Sequence, residues 1–261
     1  MMLEKDIRDE DWLIEQMRQL IAACGPERFL ESPLVMPTRE FFPDGPLPAE
    51  EGVYVLLSRL MDYAGVGDME VAVELVNFVP IAVSSGPKLP ASGGTGASTT
   101  ELTVGARYLG SEGGVCRFQC GLSSLDDQAA LLGTLSHEIG HAFREIRGVA
   151  QEPAPLEEVL TDVTGIYLGF GVLLCNSAYR FTSGGELRTL RTCHSRAGYL
   201  PVVSLCFLLA AQAVCRGMSL VEAWQVGQAL GSNQRGYFLE FHKDLWQAEE
   251  EVRCALLPSS M

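Results

Sequence analysis

Residues 130–146, ALLGTLSHEIGHAFREI, constrain this chain more than any other stretch. Placed on a helix at about 100° per residue, Leu132, Leu135, Ile139, Ala142, Phe143 and Ile146 form one apolar stripe. His137 and His141 fall together on the opposite side, with Thr134, Glu138 and Glu145 flanking them. Two of the four histidines in the chain therefore sit one turn apart inside an otherwise apolar helix. Unpartnered imidazoles there would be costly, which argues against a pair of ordinary surface histidines. The i, i+4 spacing lets both rings meet one ion at the roughly 2.0–2.1 Å that zinc prefers. Glu138 points about a quarter-turn away, too far round to be a third ligand, but within reach of a water on that ion.

A zinc ion held by two histidines needs a third protein ligand and an open position. The HExxHxxGxxH arrangement fails, because positions 144 and 147 are Arg144 and Arg147. The other histidines, His194 and His242, stand in no ligand-like spacing. A carboxylate from the following helix, PAPLEEVLTDVTGIYLGFG, is the better candidate. Glu158 and Asp162 share a face, and Gly165 and Gly169 continue it with Thr161 alongside, a run of small residues that would let another helix come close. Glu157 is expected to face solvent.

HEIGH followed by Glu158-Val-Leu-Thr-Asp162 resembles the HExxH…ExxxD pattern of the gluzincin metallopeptidases, the thermolysin-like class. The resemblance covers residues 124–170. It implies His137, His141 and Glu158 as zinc ligands, Glu138 as general base and Asp162 as the residue that orients a ligand histidine. It also implies a strand just before the motif helix that lies along the cleft, a place that VCRFQCGLS (115–123) fits, and a downstream residue that stabilises an oxyanion. Tyr179, Arg180, His194 and Tyr199 are the candidates for that last role.

The rest of the chain reads as one zincin-like α+β unit: residues 1–148 as a mixed lobe with a small sheet and the motif helix, 149–261 as an all-helical lobe carrying the third ligand. Helices are expected over 5–22 and 49–64, then about 155–178, 200–216, 219–230 and 234–256. A Pro-rich extended stretch follows the first helix. Residues 69–76 and 115–123 alternate as strands, the latter with Cys116, Phe118, Cys120 and Leu122 on one face. Ser124 with Asp127 resembles a capping box for the motif helix. Residues 84–106 read as a mobile loop, and the GGTG within it lacks the Lys-Ser/Thr of a phosphate loop.

A net charge of −14 argues against nucleic acid or an anionic membrane as partner. The apolar stretches 163–175 and 201–215 are too short to span a bilayer and read as buried helices. The charged N-terminal segment has no signal-peptide character, so a cytoplasmic protein with free thiols is expected. These features lead to a zinc peptidase acting on a peptide or protein substrate laid along the edge of the 115–123 strand. The alternatives are a silent zincin-like module with structural zinc that binds a protein partner, its site covered by the 84–114 segment, or a hydrolase of some other amide. Nothing in the sequence sets an oligomeric state.

Overall fold

The computed structural model describes residues 9–45, 47, 49–78, 81–83, 100–102, 105–183 and 200–257, with backbone alone for 81–83, 100–102 and 179–183. Helix α1 (Glu10–Cys24) starts at Asp9, whose carboxylate accepts the N–H groups of Asp11 and Trp12, and it buries Leu13, Met17, Leu20 and Ile21. A short helix, α2 (Pro26–Glu31), follows, before the Pro-rich stretch and where the sequence suggested no element; Pro26 stands in its first turn, where a missing N–H is harmless. Helix α3 (Ala49–Ala64) buries Val53, Leu57, Leu60 and Met61.

Strand β1 (Glu70–Val76) leads into a short antiparallel pair, β2 (Ile81–Val83) with β3 (Thr100–Leu102). Residues 84–99 lie outside the described residues, and with them the GGTG; 100–102 are strand rather than loop. Then come β4 (Ala106–Glu112) and β5 (Val115–Gly121), an antiparallel hairpin. The sheet order is β1-β5-β4, with β5 parallel to β1. This corrects two expectations. The strand read from 115–123 is the centre of the sheet, hydrogen-bonded on both sides, so no edge of it is open to a substrate. Leu122 leaves the strand for a 3-10 turn and is exposed. The edges belong to β1 and β4, and alternation in the sequence did not reveal β4 because a bulge interrupts it.

The motif helix is α4 (Gln128–Ile146), and its N-cap is Asp127 itself, which accepts the N–H of Ala130; Ser124 instead bonds the carbonyls of Gly105 and Gly121. The expected stripe of Leu132, Leu135, Ile139, Ala142 and Phe143 is buried, and Ile146 is partly so. Next comes α5 (Ala154–Tyr167), then α6 (Gly171–Ser183). These are two helices where one was expected over 155–178. The break falls at Gly169, whose φ of +91° favours glycine, and an added Cβ there would run into the carbonyl oxygen of Pro33. Gln212 donates to the carbonyl of Ile166 at 2.8 Å and so satisfies part of the exposed end of α5.

The remaining helices are α7 (Val202–Cys215), α8 (Leu220–Gly227), α9 (Ser232–Gln247) and α10 (Glu249–Leu256); the last two divide the single helix expected over 234–256. From Ser204 to Cys215, α7 is buried on every side, with α5, α6, α9 and α10 around it. No described helix is long and apolar enough to cross a membrane. The seven described cysteines are free thiols. The protein is thus a mixed α+β structure with ten helices and a small mixed sheet among the described residues.

Gly169→Ala tests the break between α5 and α6. Forcing a side chain into a left-handed backbone against a carbonyl combines two penalties of about 1–3 kcal/mol each, so the urea midpoint should fall by the equivalent of at least about 2 kcal/mol. An unchanged midpoint would show that the two helices do not depend on this turn.

Candidate metal centre

Helix α4 is buried on both faces: the leucine stripe lies in the core, and His137 and Glu138 are only 4% and 7% exposed. What covers the histidine face is α5. The close approach is made at Gly140, the glycine inside HEIGH, where an added Cβ would lie 3.0 Å from the backbone oxygen of Thr161. The expected small-residue contact is therefore real but made by the other helix. Gly165 faces Leu174 of α6, and Gly169 ends α5.

This approach brings together the five residues expected from the sequence. Asp162 accepts from Nδ1 of His137 at 2.8 Å with one oxygen and from the N–H of Leu200 at 2.8 Å with the other. The Glu158 Oε2 lies 3.1 Å from Nε2 of His137 and 3.6 Å from Nε2 of His141. One ligand atom from each of His137, His141 and Glu158 falls within 4.8 Å of the others, a group that can hold a metal ion. A tetrahedral ion with bonds of about 2.0–2.1 Å places its ligand atoms about 3.3 Å apart, between the two separations observed. Each histidine also has its second nitrogen engaged, His137 by Asp162 and His141 by the hydroxyl of Thr161 at 3.1 Å, which is how ligating imidazoles are normally held.

The electrostatics agree with a site built for a cation. Burial alone would disfavour the charged form of His137, but its hydrogen bonds to Asp162 and Glu158 outweigh this and raise it to about 10. Burial would raise Glu158, yet the two histidines hold it well below the usual carboxylate range. A proton on Nε2 of His137 thus bridges to Glu158, at the place where the group could hold an ion. Glu138 lies beside this cluster and is raised by burial, which overcomes the opposing pull of His137 and His141. Its Oε2 accepts the backbone N–H of Tyr108 at 2.7 Å.

That last contact depends on the bulge in β4. Tyr108 pairs with Phe118 and Gly110 with Arg117, so Leu109 is an extra residue, and Gly110 takes a φ of +111°. In a regular strand, N–H groups three residues apart point to opposite edges. The extra residue brings both Tyr108 and Ser111 to the same edge, and Ser111 donates its N–H to Glu145 at 3.0 Å. Glu138 and Glu145 are two turns apart on α4, about 10.5 Å, and three strand residues span about 10 Å. The strand is fastened along the motif helix by both carboxylates. The 84–114 segment therefore does reach the site, but through 106–112 as a strand.

Other residues fall elsewhere. Glu157, expected in solvent, forms a paired hydrogen bond with Arg144, which is 3% exposed, at 2.7 and 2.8 Å; Arg144 also binds Thr164 and the carbonyl of Val149. His242 is buried away from the centre, its Nε2 on the carbonyl of Met218. The side chains of Tyr179 and Arg180, and all of His194 and Tyr199, lie outside the described residues. Sequence reasoning missed Tyr108, which acts through its backbone and leaves no signal in residue type, and the role of Thr161, which stands one turn after Glu157 and beside the chosen face. Compared with known proteins, the chain matches no family model, no curated protein and no solved structure.

Two measurements check this centre. Metal uptake must displace the proton from His137, so affinity should rise steadily as pH goes from about 7 to about 9, and each ion bound at about pH 7 should release about one proton. A flat affinity over that range would mean that His137 is not a ligand. Glu157→Ala should cost about 3 kcal/mol by leaving Arg144 charged and unpaired between α4 and α5. A loss below about 0.5 kcal/mol, the scale of surface changes, would show the pair to be solvated.

Proposed function

We propose that this protein is a zinc-dependent hydrolase of peptide bonds, with His137, His141 and Glu158 as metal ligands and Glu138 as general base. The observation that carries this reading is the convergence of two imidazole nitrogens on one carboxylate oxygen at 3.1 and 3.6 Å, next to a second, buried carboxylate on the same helix turn. Two histidines and a carboxylate are a donor set of catalytic rather than structural zinc sites. When bound, the ion would polarise the scissile carbonyl and make a water acidic enough to give up its proton near neutral pH.

The chain's own residues do the rest. Glu138 takes the water's proton and passes it to the leaving amine. Burial raises its affinity for a proton, which suits a group that must both accept and deliver one. The N–H of Tyr108 fixes which oxygen is turned toward the strand. Asp162 holds the Nδ1 proton of His137 and so turns Nε2 toward Glu158. Strand β4 borders the site, and an extended peptide would lie along it. Because Glu138 and Glu145 already hold the N–H groups of Tyr108 and Ser111, recognition there falls to carbonyls and side chains.

Glu138→Gln separates catalysis from metal binding. The amide is nearly isosteric and leaves all three ligands in place, so zinc content should stay near one per chain. Cleavage of the best substrate from a peptide library should fall by about 10²–10⁴, because an amide cannot accept the proton. Asp162→Asn should weaken zinc by about 10–100-fold, and Glu158→Ala should abolish stoichiometric binding. A wild-type protein that holds zinc and cleaves no peptide, with or without chelator, would overturn the peptidase reading.

A further inference from the structure

Thr161 was not among the residues that the HExxH…ExxxD pattern marks, yet its hydroxyl lies at the centre of the α4–α5 contact. Its oxygen is 2.8 Å from the carbonyl oxygen of Glu157 one turn earlier and 3.1 Å from Nδ1 of His141. A hydroxyl has one proton to donate. The carbonyl of Glu157 can only accept, and it is the nearer partner. The Thr161 proton then goes to Glu157, and the lone pair facing His141 can only accept. This gives a proton on Nδ1 of His141 an acceptor and turns the lone pair of Nε2 into the space beside Glu158, 3.6 Å away, where an ion could sit.

We infer that Thr161 is a positioning residue that holds His141 in its metal-ligating tautomer, and that Gly140 is glycine so that Thr161 can come near enough to do so. The inference rests on the zinc reading above. The two ligand histidines are then oriented by different means. His137 has a carboxylate, Asp162, behind it; His141 has a neutral hydroxyl whose direction is set by the backbone of its own helix. Thr161 is fully buried, and its methyl group is what a side chain at Gly140 would strike, 2.8 Å from an added Cβ. The threonine is thus in a fixed position rather than free to rotate toward water. Without the hydroxyl, the Nδ1–H of His141 loses its partner. Moving the proton to Nε2, where the Glu158 carboxylate can accept it, becomes the favourable arrangement. In that tautomer the nitrogen that should bind the ion is protonated, and zinc has to displace it.

The test uses the full chain with Thr161→Val, which keeps shape and branching, and Thr161→Ser, which restores the hydroxyl. Two readouts are taken: the zinc dissociation constant by competition with a chromophoric chelator, and the tautomer of His141 in the metal-free protein from imidazole 15N–1H correlation spectra. Wild type and Thr161→Ser should show His141 protonated on Nδ1 and bind zinc with affinities within about threefold of each other, while Thr161→Val should show the proton on Nε2 and zinc about 10–100-fold weaker. Metal-free melting temperatures of all three should be close. Thr161→Val with wild-type affinity and an intact Nδ1–H would overturn the inference. So would equal weakening in both variants with lowered melting, which is what a packing role alone would give. Should wild type bind no zinc, the zinc reading falls separately. The spectra then decide alone: loss of the Nδ1 proton in Thr161→Val supports the role of Thr161, and its retention overturns it.

Discussion

Everything near the centre depends on the polar seam between α4 and α5. Two helices that pack through leucines and valines can slide relative to one another at little cost; two that pack through His137, Asp162, Glu158, Arg144 and Glu157 cannot. Each of these groups is costly to bury alone and acceptable only when its partner is in place. The seam has two fastenings on α4, a little under two turns apart: His137 on Asp162 and Glu158, and Arg144 on Glu157 and Thr164. Between them Gly140 lets the backbones close to contact. The Arg144 pair sets the distance and rotation of the helices, and the histidine face then meets the carboxylates without needing a metal to draw it together. A group of ligand atoms held this firmly would lose little conformational freedom on binding an ion.

The second face of the centre is made by backbone. The bulge at Leu109 turns two N–H groups of β4 toward α4, and Glu138 and Glu145 receive them. Glu138 is thus positioned by its helix on one side and by a strand on the other. A buried carboxylate with only apolar neighbours would be strongly biased toward the neutral acid; one backbone N–H and two nearby imidazoles moderate that without cancelling it. The same contact joins the sheet edge to the motif helix, so the strand bordering the site and the proposed base share one hydrogen bond, while Glu145 holds the strand two turns further on.

The helical half acts as a support for this seam. Gly169 stops α5 and lets α6 turn back so that Gly133 of α4 can pack against Ser177. Gln212 and Arg216 of the region around α7 bind carbonyls of α5 and α2, respectively, and Asp162 reaches beyond His137 to the N–H of Leu200 where the chain enters α7. The residue that orients the first histidine is therefore itself held from the helical side, and the core and the centre share one hydrogen-bond network.

The sequence by itself determined the local chemistry. Helical periodicity placed His137, His141 and Glu138 on one turn and the leucine stripe opposite, because those relations depend only on 3.6 residues per turn. It also marked Glu158 and Asp162, since i, i+4 spacing puts them on one face, and it marked α7 as buried, since apolarity on every side leaves a helix no solvent face. Tertiary structure decided what lies between elements. Helical spacing set Glu158 apart from the adjacent Glu157, but only the position of Arg144 on the facing helix makes Glu157 a structural partner instead of a solvent-facing acid. Of the two edge strands, β1 was legible, but β4 went unread because a one-residue bulge breaks the period of two on which strand recognition depends, and its contact with Glu138 is made by an amide that every residue but proline has. Thr161 became part of the centre only through the approach at Gly140: a hydroxyl acts over about 3 Å, and which hydroxyl comes that near an imidazole is fixed by how two helices pack.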